Sequence, residues 1–279
     1  MGTVQGQSFL EKLRLDDYKV IIKGAGDLAS GVAHRLLRAG FRIVMLELPR
    51  PLVVRRSVSF ASAVFEGTVE VEGVRASLIN EKDQIGECWS RGVIPVLVDP
   101  EGTLVKEMKP HVLIDAVMAK RNVGTSITDA PIVIGLGPGF TAGKDVTAVV
   151  ETKRGHNLGL VIYSGTAAPD TGIPGEVGGY TSERLLRASA SGRFLPCKEI
   201  GEMVQKGEKV ADAGGTPVIA SISGLIRGML YPGLEVKKGM KVGDIDPRGK
   251  EVDWKTISDK ARSVAGGVLE AVLHFLTVA

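Results

Sequence analysis

Cysteines and aromatic residues are scarce in this sequence, and both shortages narrow the classes of protein to which it can belong. Only two of the 279 residues are cysteine, Cys88 and Cys197, and they form no Cys-x-x-Cys motif. Neither a disulfide framework nor a thiolate metal cluster is therefore expected. Aromatic residues make up 5% and the formal net charge is only +3. Such a chain lacks the basic surface and the stacking side chains that are typical of nucleic-acid binding.

Long apolar runs are missing as well. Charged residues precede the first apolar run, and no uninterrupted apolar stretch approaches the length of a membrane span. We therefore expect a protein of the reducing cytoplasm, with neither a membrane nor nucleic acid among its partners. The 36 glycines are typical of a globular protein with many tight loops.

The chain opens with a strand–turn–helix–strand pattern. Residues 19–23 are a short β-branched run, residues 28–39 carry apolar side chains at helical spacing, and residues 41–48 predict a second strand. Strand and helix patterns then alternate, which indicates a mostly parallel, buried sheet. We expect a Rossmann-like nucleotide-binding α/β domain over residues 1–194.

Short strands separated by glycine follow, with a weak internal duplication. Val-Gln-Lys-Gly-Glu-Lys-Val at 204–210 is echoed by Val-Lys-Lys-Gly-Met-Lys-Val at 236–242. This pattern resembles the biotinyl/lipoyl-type barrel-sandwich, so we expect such a β module over residues 195–250. The hairpin at 214–218, where that family carries its modified lysine, contains only Gly, Thr, Pro and Val. A covalently attached biotin or lipoyl group is not expected.

The last segment, residues 251–279, predicts a C-terminal helix. Val264, Val268, Ala271, Val272 and Phe275 fall on one helical face. That face either packs on the main domain or covers the seam of a homo-oligomer.

The first candidate site is the turn Gly-Ala-Gly-Asp-Leu-Ala at 24–29. Gly24 permits the tight bend, and Gly26 lets a phosphate approach the backbone. Asp27 and Leu28 begin the helix, whose N-terminus favours an anion. Glu47, at the end of the second strand, would hold a ribose diol. The turn predicts a nucleotide or dinucleotide ligand, and the alternative is that its glycines serve only a tight turn.

A second glycine loop follows the strand pattern at 132–134. Gly135, Gly137, Gly139 and Thr141 lie in it. Because ligands of open α/β sheets bind at the carboxyl ends of the strands, the loop is interpreted as a backbone nest for a phosphate or another anion. A long turn that needs glycine for positive φ is an equal alternative.

Basic residues also follow predicted strands. Arg55, Lys120 and Arg121, together with Asn122, could converge on one polyanionic ligand. Solvated surface charge is the alternative for each of them.

One carboxylate and one imidazole bracket a loop after a strand. Glu151 and His156 could meet there for proton transfer. One His and one Glu do not make a metal site, and an exposed loop is the competing interpretation. The sequence contains neither a nucleophile elbow with a Ser-His-Asp order nor a Walker A loop.

Several long segments together resemble one family. They are Lys-Gly-Ala-Gly-Asp-Leu-Ala-Ser-Gly-Val-Ala (23–33), Arg-Arg-Ser-Val-Ser-Phe (55–60), Ala-Lys-Arg-Asn (119–122), Ile-Gly-Leu-Gly-Pro-Gly-Phe-Thr-Ala-Gly (134–143), Val-Glu-Thr-Lys-Arg-Gly-His (150–156) and Val-Gly-Asp-Ile-Asp-Pro-Arg (242–248). The chain resembles the YqeB-type accessory family of selenium-dependent molybdenum hydroxylases. The resemblance implies a cytoplasmic maturation factor that acts on the molybdenum cofactor, or on the selenium and sulfur ligation, of such hydroxylases. It identifies no catalytic residue.

Three hypotheses follow. In the first, the turn at 24–29 binds a nucleotide moiety while Lys120, Arg121 and the loop at 135–143 contact a second phosphate or a pterin-like group, as a molybdenum-cofactor dinucleotide would require. The second is an NAD-dependent oxidoreductase, for which the sequence offers no convincing hydride-transfer acid or base. The third is a scaffold without a nucleotide, in which the β module and the C-terminal helix dock a molybdenum hydroxylase.

Overall fold

A nine-stranded mixed sheet organises the first part of the protein in the computed structural model, which describes residues 14–278. The strands of this part are β1 (Lys19–Lys23), β2 (Arg42–Glu47), β3 (Thr68–Val71), β4 (Val74–Ile79), β5 (Ile94–Val98), β6 (Val112–Asp115), β7 (Ile132–Leu136), β8 (Thr141–Ala142), β9 (Ala148–Val150), β10 (Val161–Ile162) and β11 (Gly165–Thr166). The order in the large sheet is β10-β9-β7-β6-β1-β2-β5-β4-β3, and β8 pairs with β11 separately. Neighbours from β9 to β4 run parallel, whereas β10 and β3 pair antiparallel at the two edges.

Five α-helices accompany these strands within residues 14–278. They are α1 (Asp27–Ala39), α2 (Ala63–Glu66), α3 (Ile85–Ser90), α4 (Thr103–Met108) and α5 (Asp259–Val278). Alternate strand residues face opposite sides of a sheet. Val20 and Ile22 of β1 therefore pack with α1 and α5 on one face. Ile21 packs with residues of α3 and α4 on the other.

A second part of the chain, here called the β module, comprises residues 185–246. Its strands are β12 (Leu185–Arg187), β13 (Gly192–Pro196), β14 (Met203–Val204), β15 (Lys209–Ala213), β16 (Thr216–Ile219), β17 (Gly224–Met229), β18 (Glu235–Val236) and β19 (Lys241–Asp246). They form two four-stranded antiparallel sheets, β12-β19-β17-β14 and β16-β15-β13-β18. Phe194, Val210 and Ile226 are fully buried in the core of the module. The strands begin earlier than the predicted boundary at residue 195.

The predicted fold class, a Rossmann-like mostly parallel sheet with a biotinyl/lipoyl-like barrel-sandwich module, is wrong. The large sheet has a parallel core with an antiparallel strand at each edge, and the connections at 116–131 and 137–147 join parallel strands without the helices of a Rossmann fold. The β module forms two separate sheets, and each repeat of the duplication sends one strand to each of them. Periodicity and glycine spacing predict where strands occur, but strand pairing depends on contacts between distant segments, which these patterns do not encode.

One helix among residues 14–278, α5, is long and apolar enough by length and composition alone to span a membrane. Its buried side chains, including Val264, Val268 and Val272, lie in the same core cluster as Val32 and Leu36 of α1. The helix is therefore a packed element of this fold.

Candidate functional site

A cleft of about 670 Å³ lies between the large sheet and the β module. On one side it meets the segments that follow β1, β6, β7 and β9, because the carboxyl ends of parallel strands share one edge of a sheet. On the other side it meets β12, β17 and β19 of the β module. Residues 168–175 border it as an extended loop. The volume falls within the usual range for a small-molecule site.

Positive charge dominates the cleft. Nine of the residues that line it are Lys or Arg and three are Asp. The basic residues are Arg55, Lys120, Lys153, Arg154 and Lys260 on the sheet side and Arg184, Arg187, Arg227 and Lys241 on the side of the β module. Clefts lined by one sign of charge concentrate ligands of the opposite sign. The arrangement suits an anion.

The deepest basic groups are arginines from both parts of the protein. Arg55 is only 8% exposed, and its Nη2 lies 3.5 Å from the carbonyl oxygens of Trp254 and Thr256. Burial, and secondarily the charge of Arg227, lowers the pKa of Arg55. Arg184 pairs with Asp244 at 3.3 Å. Arg55 and Arg227 are therefore close enough for their charges to interact, and Arg184 lines the same cleft.

Two lysines that line the cleft differ in whether a carboxylate pairs with them. Lys120 forms an ion pair with Asp170 at 2.7 Å. Lys260 makes no ion pair within the described part of the chain, and burial lowers its pKa, opposed by the charge of Asp27. The side chain of Lys260 is therefore available to a ligand.

One backbone donor of the predicted phosphate turn is taken by the protein itself. The Ala25 amide donates a 2.8 Å hydrogen bond to Oε2 of Glu47, and Leu48 donates to Oε1 at 2.7 Å. The Ala61 amide donates to the Ala25 carbonyl. Burial raises the pKa of Glu47, against the effect of the two amide hydrogen bonds. The turn does not belong to a Rossmann fold, and Glu47 occupies one backbone donor that a phosphate would otherwise use. Anion binding at the turn stays a prediction.

The other residues of that turn divide between core and cleft. Gly24 has φ +89, and a Cβ there would lie 3.0 Å from the Ala116 carbonyl oxygen. Gly26 is the N-cap of α1 without a side-chain cap. Leu28 is buried in the core. Asp27, in the first turn of α1, lines the cleft.

The second glycine loop is constrained by close packing. A Cβ on Gly135 would lie 2.5 Å from the Phe140 ring, and one on Gly137 would lie 2.5 Å from Oγ1 of Thr152. A Cβ on Gly139, which has φ +115, would lie 2.6 Å from Cα of Arg121. A side chain at any of these three positions would clash with its neighbour, so close packing accounts for the glycines. Thr141 lies in β8, where its amide donates to Asp145, and of this loop only Pro138 reaches the cleft.

Arg121 and Asn122 do not line the cleft. The Arg121 backbone packs under Gly139. Oδ1 of Asn122 accepts hydrogen bonds from the amides of Gly124 and Thr125, and its Nδ2 donates to the Thr125 carbonyl. Asn122 therefore shapes the loop that carries Lys120.

Glu151 and His156 do not meet as a catalytic pair. Glu151 is 4% exposed, and its oxygens accept hydrogen bonds of 2.7 Å each from the amides of Thr152, Lys153 and Ala168. His156 is exposed. Within residues 14–278, no group of three or more His, Cys, Asp or Glu side chains is placed to hold a metal ion.

Of the predicted site residues, the structure brings Asp27, Arg55 and Lys120 into one cleft. The cleft residues in and next to the β module were missed, and one of them carries a sequence signal. Arg227 interrupts the otherwise apolar strand β17 next to Gly228, and a charge in such a strand indicates a specific role. Arg184 belongs to no strand pattern, and only tertiary structure reveals its position.

Comparison with known proteins gives one close relative. No family model matches the chain. It is 50% identical over 257 residues to the uncharacterized protein YqeB of Escherichia coli K12. The match covers 92% of this chain and 48% of YqeB, so the chain spans about half the length of that relative.

Solved structures give only weak likenesses. An aspartoacylase family protein from Mesorhizobium loti is 12% identical, with 76% of this chain and 58% of that chain covered and a TM-score of 0.24. The product-bound ectoine utilization protein EutE from Ruegeria pomeroyi is 13% identical, with 82% and 84% covered and a TM-score of 0.25. At such scores neither likeness bears on the fold or the function of this chain.

Proposed function

We propose, from the premise that this chain is a homologue of YqeB over about half of that protein's length, that it is an accessory factor in the maturation of selenium-dependent molybdenum hydroxylases. The pathway is the one implied by the resemblance of the long sequence segments. In this role the protein holds a phosphate-bearing ligand for delivery to the hydroxylase. A molybdenum-cofactor dinucleotide is the candidate ligand, because it combines phosphate charge with a size that suits the cleft.

The observation that carries the proposal is the charge of the cleft. Nine Lys and Arg side chains line a volume of about 670 Å³, and they come from both parts of the chain. Arginine binds phosphate in a bidentate manner and retains its charge when buried. Only Arg55 among the nine is buried, and the excess of nine basic over three acidic side chains around one cleft favours an anionic ligand.

Binding and genetics test the two halves of the proposal. Calorimetry would measure the affinity of the purified chain for a molybdenum-cofactor dinucleotide, CDP, ATP and NAD. Tight binding of the cofactor dinucleotide is expected. A host strain lacking the gene should lose selenium-dependent hydroxylase activity, and the wild-type gene should restore it.

The same experiments contain their controls. Arg227→Gln should abolish both the binding and the rescue of hydroxylase activity, whereas Arg75→Gln, which removes an exposed arginine paired with Glu70, should preserve both. Full hydroxylase activity in the deletion strain would overturn the accessory role. Reduction of NAD by the purified chain would favour an oxidoreductase instead, and the absence of any nucleotide binding would favour a docking scaffold.

A further inference from the structure

We propose that the floor of the cleft is a diphosphate subsite divided between the two parts of the protein, with Arg55 holding one phosphate and Arg227 and Arg184 holding the adjacent one. This inference rests on the proposed function because it concerns the same cleft. It goes further by naming the ligand group that is recognised, a pyrophosphate linkage, and the side chains that recognise it.

A backbone contact between the two parts brings the arginines together. The Met229 amide in β17 donates a 2.8 Å hydrogen bond to the carbonyl oxygen of Val54. A Cβ on Gly228 would lie 2.8 Å from the same oxygen. Arg55 follows Val54 and Arg227 precedes Gly228 in the sequence, and both line the cleft. Gly228 thus permits the close approach that places two guanidinium groups beside one cavity.

The hydrogen bonding of these guanidinium groups is incomplete. Nε of Arg55 and Nε of Arg227 are both buried without a hydrogen-bond partner in the described residues. The Arg55 Nη2 contacts, at 3.5 Å, are at the outer limit for hydrogen bonds. Buried polar groups normally have partners, and an unpartnered one calls for a specific explanation. A ligand that enters the cleft and accepts hydrogen bonds from these Nε atoms would explain why the protein leaves them unpartnered.

Nearby carboxylates, Asp27, Asp244 and Asp246, offset the charge of the two arginines only in part. Asp246 makes hydrogen bonds of 2.9 and 2.8 Å to Arg248 and lies 3.9 Å from Nε of Arg227. Asp244 pairs with Arg184. Arg227 lowers the pKa of Arg55 through charge repulsion, after the larger effect of burial. Since arginine does not lose its proton in proteins, a ligand with at least two negative charges relieves this repulsion.

A diphosphate fits this arrangement better than a single phosphate. The arginines approach from opposite sides of the cleft, since Arg55 belongs to the sheet part, Arg227 belongs to the β module, and Arg184 directly precedes β12 of that module. Two linked phosphate groups can face both sides at once, with bidentate contacts on each. The same ligand would bridge the two parts of the protein and oppose their separation.

The test uses inorganic pyrophosphate, with orthophosphate and sulfate as comparison anions at constant ionic strength. Calorimetry and thermal unfolding of the whole chain would measure affinity and the ligand-induced rise in Tm. We expect pyrophosphate to bind at least about 10-fold more tightly than orthophosphate, because it gains hydrogen bonds to a second charged group. Equal affinities for the two anions would overturn the subsite.

Variants locate the binding. Arg227→Gln and Arg55→Lys should each weaken pyrophosphate binding by about 10-fold or more, while Arg75→Gln should leave it unchanged. The conservative Arg55→Lys keeps the charge but loses the bidentate geometry. A cooperative thermal transition in each ligand-free variant separates loss of binding from loss of folding. Wild-type affinity in both cleft variants would overturn the proposal.

The outcome is separable from that of the proposed function. Pyrophosphate binding that depends on Arg55 and Arg227, together with normal hydroxylase activity in the deletion strain, supports the subsite and overturns the accessory role. The opposite outcome is also distinct. If the gene rescues hydroxylase activity and the chain binds the cofactor dinucleotide, but pyrophosphate binds no more tightly than orthophosphate, the accessory role is supported and the subsite is overturned.

Discussion

Gly267 of α5 lies directly against the carbonyl oxygen of Gly159, so that a Cβ built on Gly267 would overlap that oxygen. Gly159 has φ +85 and donates its amide to the carbonyl oxygen of Glu151 at 2.9 Å. The loop after β9, which borders the cleft, is therefore positioned by the close approach of α5. Two glycines, one on each backbone, make this approach sterically possible.

The neighbouring glycine in α5 supplies a matched test of this contact. Gly267→Ala should destabilise the protein by about 2 kcal/mol or more, because backbone on both sides would have to move. Gly266→Ala should be neutral or stabilising by up to about 1 kcal/mol, since alanine favours helix and the nearest atom is Nη1 of Arg35 at 3.6 Å. Urea unfolding measures both. Equal losses of stability would contradict the packing argument.

Glu151 ties the end of β9 to the loop at 167–168 by accepting a hydrogen bond from the Ala168 amide, and it also accepts from the amides of Thr152 and Lys153. In Glu151→Gln one oxygen becomes an amide nitrogen that opposes a backbone N–H. We expect a loss of about 1.5–3 kcal/mol in the free energy of unfolding, the usual size for a hydrogen bond to a charged group. The control is Glu101→Gln at an exposed position. Unchanged stability of Glu151→Gln would show that the carboxylate does not hold the loop.

Tyr231 of the β module donates a hydrogen bond to Glu66 in α2. Burial, and secondarily this hydrogen bond, raises the pKa of Tyr231 to about 12. Because the folded-state pKa lies above the unfolded value of 10.0, the stability that the group contributes is present below pH 10.0 and is lost as the pH rises towards about 12. Absorbance titration should show a late-ionising tyrosine that is absent in Tyr231→Phe and retained in Tyr180→Phe. A high-pH phase that Tyr231→Phe leaves unchanged would refute this link between the two parts.

Arg154 and Asp259 form a bidentate pair of 2.7 and 3.0 Å, which lowers the pKa of Asp259 to about 2. Because the pKa of Asp259 is lower in the folded state than its unfolded value of 3.8, the carboxylate stabilises the folded state above pH 3.8. That contribution is lost as the pH falls towards about 2. The Asp259 side chain is 73% exposed, so solvent screens the pair and we expect less than about 1 kcal/mol.

Unfolding of the wild type and of Asp259→Asn at two pH values measures this contribution. The wild type should be the more stable at about pH 6, and the difference should disappear near about pH 2. A difference that stays constant across this range would assign it to helix packing and not to the ion pair.

Local structure was predictable where a short segment carries its own signal. β1, α1 and β2 occur at the predicted positions because a β-branched run, a glycine turn and helical spacing follow each other without a gap. The cleft was predictable only in part. Arg55 and Lys120 stood out because they follow predicted strands, but the same rule also selected Arg121 and His156, which do not line the cleft. A residue's place after a strand does not determine which way its side chain points.

The sequence by itself determined β1, α1 and β2, the basic residues Arg55 and Lys120 that line the cleft, and the homology to YqeB. Only the tertiary structure decided that Glu47 takes a backbone donor of the glycine turn, and that Arg227 meets Arg55 across Val54 and Gly228. The reason is physical. Secondary structure follows from interactions a few residues apart, whereas a shared hydrogen-bond donor or a pair of buried charges depends on segments that the sequence separates by many residues.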